Sequence, residues 1–339
     1  MLTGRTETLK YLLTLLLLVS ACSNSDKGLR FSDNFLEQQK REKAAEVSDS
    51  CAFTDINYKP VADEYTADTE ALITELFSKY VTRLEPLESS TLSGQVKYSA
   101  WLKSSDDKVK LCTVVNHLAN TDPATLVGDD KKVFFINAYN ILTIELILKS
   151  YADVDKGPDR DKAEFPDAKS IKNINGLGDA VWDTYSWKIG NQSFTLNQIE
   201  KGTLIPMNDA RVHFAVNCAS KGCPPLRNEA FTVSKLDEQL NEMSDFFISS
   251  IAYHDFELFD EYDPESGNNF YYLSPIFQWY AADFKNDDVN KYGSVRAFLV
   301  RHLITPEETL GFPVADLLNE DYWEEDFSGY DWSLNEVGN

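Results

Sequence analysis

The sequence predicts an α+β protein with a single globular domain, in which a buried central helix and a mainly antiparallel sheet are surrounded by further helices. Three observations support this prediction. The segment Lys132–Leu148 is apolar on most sides, which is typical of a buried helix. Helical and strand-like segments follow one another without regular alternation. The 20 Phe, 16 Tyr and 6 Trp residues are enough for a large core.

The other predicted helices follow from apolar residues that recur at helical spacing. The first begins after Thr66 or Asp68, either of which can cap it, and it ends near Tyr80. Ser274 and Pro275 suit the cap and the first turn of a later helix. The remaining helices are predicted at Val109–Leu118, Leu196–Leu204, Leu236–Ile251, Pro275–Phe284 and Val295–Leu303, with a further helical portion around Asn34–Ala45.

Turn signals and alternating side chains predict the strands. The Gly-Asn pair at positions 190–191 is a hairpin signal between two short runs with strand character. In a later run, polar residues alternate with apolar ones, so that one face would hold Arg211, His213 and Asn217. The predicted strands are Trp182–Ile189, Gln192–Leu196, Arg211–Cys218 and Phe270–Leu273.

The first residues have the pattern of an export signal. A short positive region with Arg5 and Lys10 precedes an apolar run, and small residues follow at positions 20–21. The run is too short for a membrane-spanning helix, which needs about 20 apolar residues. Residues 19–22, Val-Ser-Ala-Cys, match the lipobox of bacterial lipoproteins, in which the cysteine is acylated. An ordinary signal peptide with a chance cysteine is the alternative.

The lipobox predicts three parts of the chain. Residues 1–21 would be the signal peptide, residues 22–50 a polar tether on the lipidated Cys22, and residues 51–339 the globular domain. The acyl chains on Cys22 would hold the domain at the membrane. Because Ser23 rather than Asp follows the cysteine, we expect the cell envelope as location, with the protein on the periplasmic face of the outer membrane.

Charge and motifs exclude several classes of partner and cofactor. The net charge of −23 is opposite to that of nucleic-acid-binding proteins. The four His residues, at positions 117, 213, 254 and 302, do not have zinc-site spacing. The acidic segment 260–268 fits no calcium-loop pattern and is interpreted as a solvated turn. We therefore expect no nucleic acid, metal or cofactor, and the protein or small-molecule partner stays unidentified.

Four cysteines remain in the predicted mature protein, and an exported protein can pair them in three ways. The simplest assignment joins Cys51 to Cys112 and Cys218 to Cys223. The alternatives for Cys218 are a free structural thiol and a catalytic or redox thiol. His213 is five residues from Cys218, so the two can form a catalytic pair only if the chain turns near Asn217.

Polar residues inside apolar segments are the other candidates for a site. Asn137, Asn140 and Glu145 share one broad face of the central helix, and they form either a hydrogen-bonded core network or part of a site. Glu200 is either a surface carboxylate or a partner for His213 or Arg211.

Several segments together resemble the family called domain of unknown function 547. The resemblance covers roughly residues 75–335. One departure concerns an Arg that we expect shortly after Glu200. This chain has Thr203-Leu204-Ile205-Pro206 there. If the expected Arg belongs to a site, Arg211 or Arg227 would have to take its place. The matching pieces are Gly94–Tyr98, Val133–Ile144 with Phe-Ile-Asn-Ala-Tyr-Asn, Leu196–Leu204 with Ile-Glu-Lys-Gly, Val212–Arg227 with His-Phe-Ala-Val-Asn-Cys and Cys-Pro-Pro-Leu, Trp279–Phe284 and Tyr330–Asn335.

The resemblance supplies no established activity, but it implies an exported bacterial protein and a set of site candidates. Two hypotheses follow. The first is a lipid-anchored envelope protein of unestablished activity with a polar groove between the Asn-Ala-Tyr-Asn helix and the His-Phe-Ala-Val-Asn-Cys strand. The second is a thiol-dependent hydrolase or transferase, loosely papain-like. The catalytic candidates are Cys218, His213 and Glu200, and the binding candidates are Asn137, Tyr139, Asn140, Arg211 and Asn217.

Overall fold

The computed structural model describes residues 47–48, 51, 53, 55–154, 170–250, 269–310, 313–318, 323–327 and 329–337. The α+β class is confirmed, and the chain from Val47 to Asn339 folds as one unit. The lipobox, the predicted helical portion around Asn34–Ala45 and the acidic segment 260–268 lie outside the described residues.

The central helix, Gly128–Val154, confirms the apolar segment as the middle of the fold. Gly128–Ser150 is long and apolar enough to cross a membrane, yet 89% of an 18-residue apolar stretch within it is buried inside the protein. Its buried carboxylate, Glu145, has two partners. Glu145 accepts a hydrogen bond from Trp187 Nε1 at 2.5 Å and pairs with Lys149 at 2.7 Å.

Two helices before the central helix are tied to the N-terminal part of the domain. Thr66 caps the first helix, as predicted, in a capping box with Thr69. Cys112, on the helix Ser105–Asn120, forms a disulfide with Cys51, which confirms one of the two expected bridges. The helices of the described chain outside the central one are Ala67–Tyr80, Tyr98–Leu102, Ser105–Asn120, Val181–Thr184, Leu196–Ile199, Leu236–Ser249, Pro275–Trp279, Ala281–Lys285, Val295–His302 and Glu307–Leu310.

The sheets are small. A short strand β1, Val47–Ser48, pairs in parallel with β2, Ser186–Ile189, and β2 pairs antiparallel with β3, Gln192–Thr195, as the predicted hairpin. The hairpin turn requires Gly190, because its φ is +57° and an added Cβ would lie 2.8 Å from the Thr121 carbonyl oxygen. Strands β4, Asn269–Leu273, and β5, Trp323–Phe327, form a second sheet and run parallel.

The predicted strand Arg211–Cys218 is wrong. Residues Ala210–Phe214 form a 3₁₀ helix, and the chain then continues as an irregular loop through Cys218. Asp209 caps this helix by accepting the backbone N–H of Arg211 at 3.3 Å. Phe214 anchors it in an aromatic core, with ring centroids 5.4 Å from Phe247 and 5.2 Å from Phe298. The alternation of polar and apolar residues is therefore found here in a buried, tight helical turn and not in a strand.

Candidate functional site

A cavity of about 600 Å³ lies beside the turn after Leu196–Ile199, the loop 215–224 and the two helices Pro275–Trp279 and Ala281–Lys285. This volume is within the range of small-molecule sites, about 300–1,000 Å³. Its lining residues include several that can transfer a proton or act as a nucleophile, among them Tyr139, Glu200, His213, Cys218, Cys223 and Asp283.

Aromatic side chains form one wall of the cavity. Trp279 stacks on Trp332 with ring centroids 5.9 Å apart, and Tyr330 lies 4.5 Å from Trp332. Trp182 lies 5.7 Å from Trp332 on another side. The Trp279 side chain is 49% exposed although it is one of the largest apolar groups in the protein. The wall therefore offers a flat apolar surface to a bound molecule.

Asn140 of the central helix holds the start of the loop that carries Cys218. Its Oδ1 accepts the backbone N–H of Asn217 at 2.9 Å, and its Nδ2 donates to the carbonyl oxygen of Ala215 at 2.9 Å. The amide thus replaces the backbone partners that a strand would have supplied. The irregular conformation of this buried loop is stable because Asn140 forms hydrogen bonds with its backbone N–H and carbonyl groups.

Asn217 holds the turn that follows Cys218. Its Oδ1 accepts the backbone N–H of Ala219 at 2.8 Å and the Nδ2 of Asn335 at 3.0 Å. Its Nδ2 donates to the Pro224 carbonyl oxygen at 2.8 Å. Ala219 has a φ of +62°, which is uncommon for a residue with a Cβ. A single buried amide therefore fixes both ends of the segment that presents Cys218.

A distant segment covers the other side of this loop. The backbone N–H of Lys221 donates to Ser333 and that of Gly222 to Asp331, both at 2.8 Å, while Asn335 donates to Ala219 at 3.1 Å. Gly222 is required for this approach because an added Cβ would lie 2.9 Å from the Asp331 nitrogen. The loop is thus paired along its edge with residues 331–335.

Cys218 and Cys223 meet at the cavity as two free thiols, so the second expected disulfide is not formed. Their Sγ atoms are 2.8 Å apart, and the backbone N–H of Cys218 donates to Cys223 Sγ at 3.0 Å. Cys223 is buried, whereas Cys218 is half-buried. The environment of the pair is therefore asymmetric.

This asymmetry separates the acidity of the two thiols. The hydrogen bond from Cys223 lowers the pKa of Cys218 to about 7, although burial opposes this. The hydroxyls of Ser220 and Tyr330, 3.2 and 3.4 Å from Cys218 Sγ, lower that pKa further, while the negative charge of Glu200 raises it. Burial raises the pKa of Cys223 well above its ordinary value. Cys218 is consequently the more acidic of the two thiols.

His213 points its Nε2 at Asp283 Oδ2, 2.9 Å away. Its ring stacks on Tyr280 with centroids 4.0 Å apart. A carboxylate partner fixes the orientation of an imidazole. Among the hydrogen bonds of the described chain none joins His213 to Cys218, so the pair shares the cavity without forming a contact dyad.

Glu200 enters the cavity at an irregularity in its helix. The α-helix Leu196–Ile199 continues as a π-helical turn, Glu200–Leu204, and such turns are frequent at functional sites. Glu200 Oε1 accepts a hydrogen bond from the Tyr280 hydroxyl at 2.7 Å. Burial, followed by the charge of Glu200, raises the pKa of Tyr280, so this hydroxyl stays a donor. The second carboxylate oxygen leaves Glu200 with acceptor capacity beyond this bond.

Tyr139 lies on the central helix and lines the cavity. Burial, followed by the charge of Glu200 and then of Cys218, raises its pKa well above the ordinary value for tyrosine. Its hydroxyl is therefore a fixed proton donor. Within the described residues, no group of three or more His, Cys, Asp or Glu side chains has an arrangement that could hold a metal ion.

Comparison with known proteins identifies one family. Residues 123–248 match the model of the family described as "Protein of unknown function, DUF547". The chain carries a DUF547 domain. No curated protein and no solved structure matches the chain, and a papain-like layout stays a prediction.

The matched part of the DUF547 domain contains Tyr139, Glu200, His213, Cys218 and Cys223 of the cavity. Asp283, the partner of His213, lies beyond it, as do Tyr280 and the wall residues at positions 279, 330 and 332, whereas Trp182 of the wall lies within it. Both later segments belong to the resemblance described above, Trp279–Phe284 and Tyr330–Asn335. The site is thus assembled from the matched part and from later parts of the chain.

The three catalytic candidates and Tyr139 line the cavity, whereas four of the binding candidates act elsewhere. Asn137 donates to the Tyr65 hydroxyl and to the Phe231 carbonyl oxygen, and Asn140 and Asn217 hold the loop. Arg211 lies in a buried ion-pair network, with Nε 3.0 Å from Asp209 Oδ1.

The expected replacement for the missing Arg is also not in the cavity lining. Arg227 binds Glu229 and Glu242, each at 2.7 Å. Neither this residue nor Arg211 is among the residues that border the cavity in the described chain.

Sequence reasoning missed Tyr280, Asp283 and Tyr330 as site residues. They lie 70 residues or more from their partners His213, Glu200 and Cys218. No local spacing indicates such contacts. The available signal was that Trp279–Phe284 and Tyr330–Asn335 carried part of the resemblance although their polar residues had no assigned role.

Proposed function

We propose that this is an exported, lipid-anchored envelope protein in which the cavity is the active site of a thiol-dependent hydrolase or transferase with Cys218 as nucleophile. The observation that carries this proposal is the free Cys218 thiol that lines the cavity beside Glu200 and the His213–Asp283 pair. A pKa of about 7 gives a large thiolate fraction at neutral pH. Cys218 therefore does not need a base in contact with it in order to become a thiolate.

The chemistry starts with attack of the Cys218 thiolate on an acyl carbonyl carbon. The carbonyl π electrons move to its oxygen, and their return expels the leaving group and forms a thioester. We assign His213 as the acid that protonates the leaving group, since its ring lines the cavity and is held in place by Asp283. Water or another acceptor then attacks the thioester, gives its proton to His213, and restores Cys218.

The cavity supports a small substrate with one flat or apolar part. The wall around Trp279 and Trp332 supplies the apolar surface. Glu200 and Tyr139 supply polar groups in the same lining. Sites of this composition orient a ligand through a few polar groups while apolar burial provides most of the affinity.

A direct test uses p-nitrophenyl acetate as an activated acyl donor. We expect a burst of nitrophenolate and an acetyl thioester on Cys218, detected by peptide mass mapping. Cys218→Ala should form no adduct. His213→Ala should turn over at least about 100-fold more slowly, as expected for loss of a general acid–base group.

The chain offers a matched control for the histidine. His302 is also buried and paired with a carboxylate, Asp245, at 2.6 Å, but it is not among the described residues that line the cavity. His302→Ala should leave the acetylation kinetics unchanged relative to the folded fraction. Equal losses in both histidine variants, or acetylation at residues other than Cys218, would count against the proposed mechanism.

The membrane anchor has a separate test. The lipobox predicts that the mature protein partitions into the detergent phase of a cell extract because of the acyl chains on Cys22. Cys22→Ala should move the protein to the aqueous phase with its signal uncleaved. Continued detergent partitioning of this variant would refute lipid anchoring and leave the proposal for the cavity intact.

A further inference from the structure

The two thiols at the cavity are already close to bonding distance. Cys218 Sγ and Cys223 Sγ are 2.8 Å apart, and a disulfide brings sulfurs to about 2.05 Å, so an approach of roughly 0.8 Å would join them. The pair is five residues apart and needs no large movement of distant elements to close. The nucleophile of an acyl-transfer site does not require a second sulfur at this distance.

The surroundings also fix which thiol meets a substrate first. Cys218 is half-buried at the cavity, whereas Cys223 is buried behind it and 6% exposed. Asn217 and the paired edge at Lys221 and Gly222 hold the loop, so that the two sulfurs stay together. An accessible thiol in front of a buried one is the arrangement in which the first attacks and the second resolves.

We propose that Cys218 and Cys223 form a redox-active dithiol that exchanges with the disulfide of a small thiol compound bound in the cavity. The proposal rests on the function proposed above only in that both need the Cys218 thiolate. It adds a two-electron reaction in which Cys223 is essential, whereas acyl transfer does not need a second sulfur.

The exchange has two steps. The Cys218 thiolate attacks one sulfur of the substrate disulfide, the substrate S–S bond breaks, and the first product leaves as a thiolate that takes up a proton. Cys223 then loses its proton to a base, a role that we assign to Glu200 because it lines the same cavity, and attacks Cys218 Sγ. The mixed disulfide breaks, the second product leaves as a thiolate that takes this proton, and the substrate has gained the two electrons that the cysteine pair has lost.

Dithiobis(nitrobenzoate) is a suitable probe because its released thiolate is coloured. The fully reduced pair in the wild-type protein should release two equivalents of nitrothiobenzoate per chain, retain none, and end with a Cys218–Cys223 disulfide in the peptide map. Cys223→Ser should release one equivalent and retain the other on Cys218. Cys218→Ser should react at least tenfold more slowly, because Cys223 is buried.

A wild-type protein that keeps a stable adduct on Cys218 with Cys223 still reduced would overturn the proposal. If Cys223→Ser does not fold, the stoichiometry and peptide map of the wild-type protein decide alone. The Cys51–Cys112 disulfide serves as the internal control and should appear unchanged in every map.

The acetylation assay separates the two proposals. Acetylation of Cys218 without formation of the Cys218–Cys223 disulfide would leave the hydrolase or transferase standing and refute dithiol exchange. Exchange without acetylation would support the dithiol and refute acyl transfer. Cys223→Ser should still acetylate at alkaline pH, since that reaction needs only the Cys218 thiolate.

Discussion

The two cysteine pairs of this protein lie in opposite settings. Cys51 and Cys112 are 61 residues apart in sequence, are 4% and 0% exposed, and form a disulfide that ties the start of the domain to a core helix. Cys218 and Cys223 are five residues apart, face a cavity, and remain thiols held by hydrogen bonds. The first pair restricts the unfolded chain, whereas the second keeps a reactive sulfur beside its proton donor. Local environment therefore decides the role of each pair.

The largest effect should come from removal of the structural bridge. Replacement of both Cys51 and Cys112 by Ser should lower the free energy of unfolding by about 4 kcal/mol, the loop-closure value for a disulfide of this span. Denaturant unfolding of the oxidised protein measures the change. A loss below about 1 kcal/mol would show that this bridge contributes little and would remove the contrast between the pairs.

The second pair depends on amide hydrogen bonds in place of a covalent link. Asn217→Ala removes the partners of Ala219, Pro224 and Asn335, and leaving buried polar groups unpaired costs about 1–3 kcal/mol each. We expect a loss of about 3 kcal/mol together with slower alkylation of Cys218. Asn241→Ala removes a different asparagine, at a partly exposed contact with Arg211, and should have a smaller effect. Equal losses would argue against a special role for Asn217.

The acidity of Cys218 should depend on Cys223. Alkylation requires the thiolate, so its rate should rise with pH through a midpoint of about 7 in the wild-type protein. Cys223→Ala removes the hydrogen bond that lowers this pKa, and the midpoint should move up toward the ordinary value of about 8.5. At neutral pH the variant should therefore react more than about tenfold slower. An unchanged profile measured with iodoacetamide would exclude Cys223 as the donor.

The smallest effect should be that of Cys223→Ser on stability. Because Cys223 is not bridged, we expect a change of less than about 1.5 kcal/mol in the free energy of unfolding under reducing conditions. A structural disulfide between Cys218 and Cys223 would instead contribute about 2–5 kcal/mol in the oxidised protein. A loss of that size only under oxidising conditions would place this pair in the same class as Cys51 and Cys112.

Much of the fold was accessible from sequence because its signals are local. Periodicity predicted the central helix and its neighbours, Thr66 predicted a helix start, and the Gly-Asn pair at 190–191 predicted the hairpin. The assignment of Arg211–Cys218 to a strand failed because residues 210–217 are all buried, so the alternation of polar and apolar residues does not mark two faces of a strand. The cap at Asp209 was the local sign of a helical turn.

The site was only partly accessible. Cys218, His213, Glu200 and Tyr139 could be selected because they lie in the segments that carry the family resemblance, and they do line one cavity. Their partners could not be inferred from spacing, since long-range packing creates those contacts. The same limit explains why Asn217 was selected as a binding residue although its amide is fully used in holding the loop.

The pairing of the Cys218 loop with residues 331–335 has a consequence for the order of folding during biosynthesis. The contact between Asn217 and Asn335 spans 118 residues, so a chain that emerges from its N-terminal end presents both thiols long before their cover is available. Until that segment docks, Cys218 and Cys223 are accessible to Cys51 and Cys112, and scrambled pairings compete with the native one. Correct maturation therefore favours formation of the Cys51–Cys112 bridge first, while the later thiols are still kept reduced.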